Sequence, residues 1–250
     1  MKHLEYYVIC GALLFSVGLS YAFYKKLIAE ERQILEEATY NLVNTWELPE
    51  LLNEVSGIAW VNDSTIACIQ DEEGAIYHFN LNTGEISYDT VFSENADYEA
   101  LALDQENAYV MRSDGLLFEV QNYATAQPVT KTYQSAMSHK NNVETLSYDA
   151  KNQRLLTAPK DLDPNDEDIK GIYAFDLGEK VLQEQPVYFV DADSVRHYLD
   201  QAPAIRKLEK LMEFFDPDEA FGFSPSAIAI HPLTGHLYIA SSVGKMLLVL

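Results

Sequence analysis

Cysteine is almost absent from this chain of 250 residues, with only Cys10 and Cys68 present. One lies in an apolar N-terminal run and the other in a predicted strand, so no disulfide between them is expected and no disulfide framework exists. No Cys/His zinc spacing occurs, and the six scattered histidines form neither HExxH nor H-x3-H. His231 falls in the turn Ile230-His-Pro-Leu-Thr-Gly235 and reads as a surface residue. Basic residues are also scarce, 17 against 39 acidic ones, for a formal charge of -22. Phosphate backbones are bound by clustered Lys and Arg that displace counterions, so nucleic acid is excluded as a partner. The acidity fits a self-repelling soluble surface or a cation site. No G-x-S-x-G elbow is present, which removes the nucleophile arrangement of that hydrolase class.

What is abundant is apolar and aromatic. Hydrophobic residues make up 48% and aromatics 12%, with 16 Tyr, enough for a full core and favouring strands over a helical bundle. After a short tail (1–5), Tyr6 to Tyr24 runs nineteen residues without a charge, long enough to cross a bilayer core of about 30 Å. Two readings stand: a transmembrane signal anchor, favoured by the length of the run, or a signal peptide cut after Ser20-Tyr21-Ala22. Lys25 and Lys26 follow it, so flanking charge does not fix orientation. Leu27, Ile28, Ile34, Leu35, Ala38 and Leu42 then recur at helical spacing among charged residues, predicting an amphipathic stalk and linker over 25–45.

From residue 46 a repeat takes over. Glu54-Val-Ser-Gly-Ile-Ala, Asp97-Tyr-Glu99-Ala-Leu-Ala and Asn142-Val-Glu144-Thr-Leu-Ser align, with glutamates at 54, 99 and 144 spaced by 45 residues. Ser224-Pro-Ser226-Ala-Ile-Ala is a fourth copy, displaced by an insertion over 191–223 whose apolar residues fall at helical spacing. A period near 45 accommodates four short strands and their turns, as in a propeller blade. Strands are predicted at 57–61, 65–70, 75–81 and 85–91 in the first copy, 108–112 and 116–121 in the second, and 154–158 and 171–177 in the third, each bounded by turn residues. A β-sandwich has no reason to repeat one motif at constant spacing. The predicted fold class is therefore all-β: a propeller of four-stranded blades behind an N-terminal membrane helix. The apolar end Lys245-Met-Leu-Leu-Val-Leu250 falls inside a predicted strand of the fourth copy, and an unpaired apolar edge there predicts one or two further C-terminal blades.

In such a blade the start of the first strand and the end of the second share one face. Glu54, Glu99, Glu144 and Ser226 are thereby expected to ring the mouth of a central channel, with Asp71, Arg112, Lys160 and Asp161 just outside. Three carboxylates around one axis suit calcium, which takes six to eight oxygen ligands, making Glu54, Glu99 and Glu144 candidate metal ligands and the outer four candidate ligand-binding residues. The alternative reading is that Arg112 and Lys160 neutralise the acids, so that the ring is a set of interblade ion pairs. The acidic loop Asp161-Leu-Asp163-Pro-Asn165-Asp166-Glu167-Asp168 lacks the glycine and terminal glutamate of a calcium loop and reads as solvated.

Trp46-Glu-Leu-Pro, Glu54-Val-Ser-Gly-Ile-Ala, Asp71-Glu72, Asp97-Tyr-Glu99, Gly171-Ile-Tyr-Ala-Phe-Asp and Pro225-Ser-Ala-Ile-Ala-Ile-His-Pro together resemble the SdiA-regulated, YjiK-like family of bacterial envelope β-propellers. The resemblance covers residues 46–250. It implies a six-bladed propeller on the periplasmic side of the inner membrane, a link to calcium, and a central role for Glu54, Glu99 and Glu144. The family's later Q-P-E-G-like motif is absent, consistent with truncation. Three functions follow as expectations: a non-catalytic protein binding calcium or a small ligand, a calcium-dependent hydrolase of phosphoesters or lactones, and a scaffold for an envelope protein partner. The first is favoured.

Overall fold

A computed structural model describes residues 25–26, 43–166, 169–191, 194–195, 197, 223–243 and 246–250. The chain divides into two compact units, Met1–Thr45 and Trp46–Leu250. In the first, Lys25 and Lys26 are helical and exposed. The predicted span Tyr6–Tyr24, most of the stalk and most of the insertion lie outside the described residues. Among the described residues no helix is long and apolar enough to cross a membrane.

The second unit is a β-propeller whose described residues form four blades. Blade 1 is β1 (Val55–Asn62), β2 (Thr65–Gln70), β3 (Ala75–Asn80) and β4 (Glu85–Val91), hydrogen-bonded in that order. Blade 2 repeats it with β5 (Tyr98–Leu103), β6 (Asn107–Arg112), β7 (Leu116–Gln121) and β8 (Val129–Gln134). Blade 3 contains β9 (Ser147–Asp149), β10 (Arg154–Thr157) and β11 (Ile169–Asp176), with its fourth position shared by β12 (Val181–Leu182) and β13 (Tyr188–Asp191). Both pair with β11. Pro186 lies between them and has no N–H to continue a ladder, which accounts for the break. Blade 4 is β14 (Pro225–Ile230), β15 (Leu237–Ser241) and β16 (Met246–Val249).

Burial explains why the middle strands read as continuous apolar runs. Ala67 to Gln70 in β2 and Ala75 to Phe79 in β3 are buried on both faces, because each is covered on both sides of its sheet. The perimeter strands β4 and β8 are mostly exposed. Between blades 1 and 2, Ala67, Ile69 and Ile76 pack against Phe92, Tyr98, Leu101, Val110 and Phe118. Phe92, Tyr98 and Phe118 meet edge to face at 5.0 to 5.5 Å, each pair adding about 1 kcal/mol beyond its buried area. A second seam joins Tyr109, Met111 and Leu117 to Leu146, Leu155 and Phe175, and a third joins Leu156, Ile172 and Ala174 to Ile228, Leu237 and Ile239. The other face of blade 1 packs with the segment leading into it: Leu48 and Leu52 lie against Cys68, Tyr77 and Phe79, and the Trp46 indole donates to the Leu81 carbonyl at 2.6 Å.

The seams carry a repeated backbone tie. Tyr98 N donates to Asp71 O (2.9 Å) from blade 2 to blade 1, and Val143 N donates to Ser113 O (2.8 Å) from blade 3 to blade 2. The corresponding residue of blade 4 is Pro225, which has no N–H. The matching acceptor, Lys160 O, is met instead by the Lys170 ammonium at 2.9 Å. Burial holds the Lys170 pKa below the usual lysine value. Gly57 marks where the inner strands of blades 1 and 2 approach: a Cβ there would stand 2.8 Å from Leu101 N, so a larger residue would force the seam apart.

Candidate functional site

Strand register decides which residues share the mouth. Val55 pairs with Gln70, Tyr98 with Arg112, and Pro225 with Ser241, each followed by a one-residue shift in the ladder. The isolated bridge Val143 to Pro159 holds the same place in blade 3. The residues re-aimed by these irregularities are Ser56, Glu99 and Ser226, with Glu144 at the equivalent position. The residue after each of these paired positions is Asp71, Ser113, Lys160 or Ser242; its N–H donates in turn to Glu54 O (3.3 Å), Asp97 O (3.0 Å), Asn142 O (3.0 Å) and Ser224 O (3.1 Å). The mouth is therefore built from four side-chain pairs: Ser56 with Asp71, Glu99 with Ser113, Glu144 with Lys160, and Ser226 with Ser242.

This corrects the repeat alignment. Glu54 is the counterpart of Asp97 and Asn142, not of Glu99 and Glu144: the equivalent rungs Val55 and Tyr98 are 43 residues apart, so a step of 45 from Glu54 overshoots by two. Glu54 is exposed, and Ser56 occupies the mouth position of blade 1. Arg112 is also committed elsewhere: its guanidinium grips Asp114 through Nε–Oδ1 at 2.9 Å and Nη2–Oδ2 at 2.7 Å. That bidentate hydrogen bond holds the Asp114 carboxyl below the usual aspartate range. Asp161 is exposed, and its backbone carbonyl accepts from the Lys170 ammonium.

Lys160 neutralises one of the mouth acids, within its own blade rather than between blades. Its Nζ lies 2.5 Å from Glu144 Oε1, with both side chains mostly buried. Burial alone would lower the Lys160 pKa, but the hydrogen bond and charge of Glu144 outweigh it and raise it. Glu99 has no such partner. Burial, then the Glu144 and Asp97 carboxylates, then a hydrogen bond with Asp97 push its carboxyl up to about 7, with Lys160 opposing.

Three polar atoms of the same mouth positions are buried without a hydrogen-bond partner among the described residues: Ser56 Oγ, Asp71 Oδ1 and Ser113 Oγ. Buried polar atoms are nearly always paired, so three on adjacent blades are groups whose partner is not supplied by the described residues. Sequence reasoning included Asp71 but passed over Ser56 and Ser113. Their signal was their alignment with Glu99 and Lys160 in the repeat.

The residues present do not fit the calcium ion that the family resemblance implies. Among the described residues no group of three or more His, Cys, Asp or Glu side chains is placed to hold a metal ion, and Glu54, Glu99 and Glu144 form no such group. The acidic loop is structural rather than only solvated: Asp163 is buried, accepting from Gly171 N (2.7 Å), Tyr173 OH (2.6 Å) and Asn165 N (2.9 Å). A concavity of about 600 Å³ lies at the opposite end of blades 3 and 4, lined in part by Tyr148, Asp149, Tyr188, His231 and Leu233. Its polar groups are engaged: Asp149 with Arg154 at 2.8 Å, and His231 Nδ1 with Thr234 N at 3.1 Å.

Blades of this kind around a polar mouth define a β-propeller. The chain is similar to three solved structures. The nidogen/laminin complex has a TM-score of 0.50 at 12% identity, covering 78% of this chain and 60% of that one. Kuenenia stuttgartiensis hydrazine synthase has a TM-score of 0.47 at 11% identity, covering 84% and 49%. The Myceliophteria thermophila Cps50 (Swd1) β-propeller domain has a TM-score of 0.45 at 12% identity, covering 85% and 61%. The likeness is one of fold, and the chain spans about half to three fifths of the length of these three structures. The sequence matches no protein-family model and no curated protein.

Proposed function

We propose that this protein is a non-catalytic binding module whose propeller mouth takes a small polar ligand. The observation that carries the reading is the set of unpartnered buried atoms, Ser56 Oγ, Asp71 Oδ1 and Ser113 Oγ, at register-equivalent positions of two neighbouring blades. Leaving such groups unpaired costs about 1 to 3 kcal/mol each, a cost that a bound polar group relieves. The Lys160 ammonium at the mouth is held by Glu144 and so is not free to clamp a phosphate or act as an acid, which favours binding over hydrolysis. The uncharged run Tyr6–Tyr24 supports a membrane anchor. The resemblance to the SdiA-regulated family supports placing the propeller on the periplasmic side of a bacterial inner membrane and within a larger, six-bladed ring.

The reading is tested by thermal unfolding of the full chain in mild detergent with glucose, inorganic phosphate, calcium chloride or 1,4-diaminobutane. A ligand at about 100 times its Kd raises stability by about 2.7 kcal/mol. At least one probe is expected to raise Tm, and the rise should vanish in the Ser56→Ala/Ser113→Ala double variant. A panel that leaves Tm unmoved, or a rise that survives the double substitution, overturns it.

A further inference from the structure

The mouth positions of blades 1 to 3 carry one completed pair and two incomplete ones, and the completed pair names the missing chemistry. In blade 3 the residue after the Val143–Pro159 bridge is Lys160, whose ammonium sits 2.5 Å from the Glu144 carboxylate. In blade 2 the same two positions are Glu99 and Ser113. The carboxylate is kept, but the side chain opposite it is too short and uncharged. Ser113 is 3% exposed, and its hydroxyl has no partner among the described residues. Blade 1 adds Asp71 and Ser56, each with an unpartnered buried oxygen. These are close to Glu99 in the fold, because Asp71 O accepts from the N–H of Tyr98, the residue before Glu99. Arg112, the guanidinium nearest along the chain, is turned to Asp114.

Resting on the small-ligand reading, we infer that the corner between blades 1 and 2 binds the primary ammonium group of an amine-bearing ligand, which takes the place that the Lys160 ammonium fills in blade 3. The ammonium has three N–H donors and no acceptor. Glu99, Asp71 Oδ1 and the Ser56 and Ser113 hydroxyls present acceptors, and the Lys160 ammonium that also senses Glu99 is itself held by Glu144. Neutral sugars and diols supply hydroxyl donors but no charge to offset two carboxylates, and anions meet the wrong sign.

Isothermal calorimetry on the full chain tests this with 1,4-diaminobutane against 1,4-butanediol, which has the same carbon spacing without the charge. The diamine is expected to bind at least about ten-fold tighter than the diol. Ser113→Lys, which supplies the ammonium internally as blade 3 does, should weaken diamine binding by at least about ten-fold without lowering Tm. Should that variant not fold, Glu99→Gln is expected to give the same loss. It removes one of 39 acidic charges, so diffuse attraction of a dication to the acidic surface would barely respond to it. Equal binding of diamine and diol, or diamine binding unaffected by Glu99→Gln, overturns the inference. Diol or glucose binding without diamine binding ends the ammonium assignment while leaving the small-ligand reading in place; no binding by any probe ends both.

Discussion

Blades 2 and 3 put a glutamate on the same position of the mouth and answer it differently. Glu144 faces Lys160 and is neutralised within its own blade, at 2.5 Å. Glu99 faces Ser113, gains no ion pair, and is pushed up to about 7 by burial and by Glu144 and Asp97. The same backbone register therefore produces a closed corner in one blade and an open one in its neighbour. A propeller frame fixes where side chains point, and the residue after the paired position decides whether a mouth acid is structural or available.

The largest expected effect comes from the pH dependence of stability, where Glu99 is opposed by a second buried group. His78 is fully buried between Tyr88, stacked at 3.8 Å, and Tyr123, with both ring nitrogens unpartnered among the described residues. Burial lowers its pKa to about 4. The unfolded chain binds a proton at His78 below about pH 6.5 while the native state does not until about pH 4, so His78 makes stability rise with pH across that window. For Glu99 the sign reverses. The unfolded carboxyl loses its proton near pH 4.5 and the native one near 7, so stability falls as pH rises between them. Each slope spans on the order of 3 kcal/mol, and they overlap and largely cancel between about pH 4.5 and 6.5. Glu99→Gln should unmask a stability that climbs from pH 4 to 6.5; His78→Phe should unmask one that declines from pH 4.5 to 7. Urea unfolding at several pH values reads both, and flat profiles in both variants would show that neither group is shifted in the native state.

Breaking the closed corner should make blade 3 resemble blade 2. Lys160→Met leaves Glu144 beside Glu99 with no ammonium between them. It is expected to cost about 2 kcal/mol at pH 8. The cost should shrink at pH 6, where Glu99 keeps its proton and no longer repels Glu144. An equal cost at both pH values would mean that the two acids do not sense one another.

Much of the blade architecture was legible because strand and turn chemistry agree locally. The strands at 65–70, 85–91 and 116–121 were placed to the residue, since Asn80 Oδ1 caps the turn before β4 and Asp114 Oδ1 the turn before β7. The divided fourth strand of blade 3 was not, because two two- to four-residue segments on either side of a proline carry no periodic signal. At the mouth, Lys160 with Glu144 could be read from the repeat, whereas Glu54 was placed two residues out of step because equivalent rungs of blades 1 and 2 are 43 residues apart and those of blades 2 and 3 are 45. Arg112 was assigned to the mouth although Asp114, two residues on, lies within reach of a bidentate grip that a more distant acid does not match.

The smallest expected effect bears most directly on the open corner. Ser113→Ala deletes a hydroxyl that is buried and unpaired among the described residues while its backbone N–H and carbonyl remain bonded to Asp97 O and Val143 N. Removing an unsatisfied polar group without creating a sizeable void stabilises the fold, here by up to about 1 kcal/mol in ligand-free protein. A hydroxyl that served only the architecture would instead have a partner, and its loss would lower Tm by a similar amount. Chemical denaturation in plain buffer separates the two by sign: a gain says that blade 2 holds Ser113 at a cost to its own stability, which is expected of a residue kept for what the mouth binds.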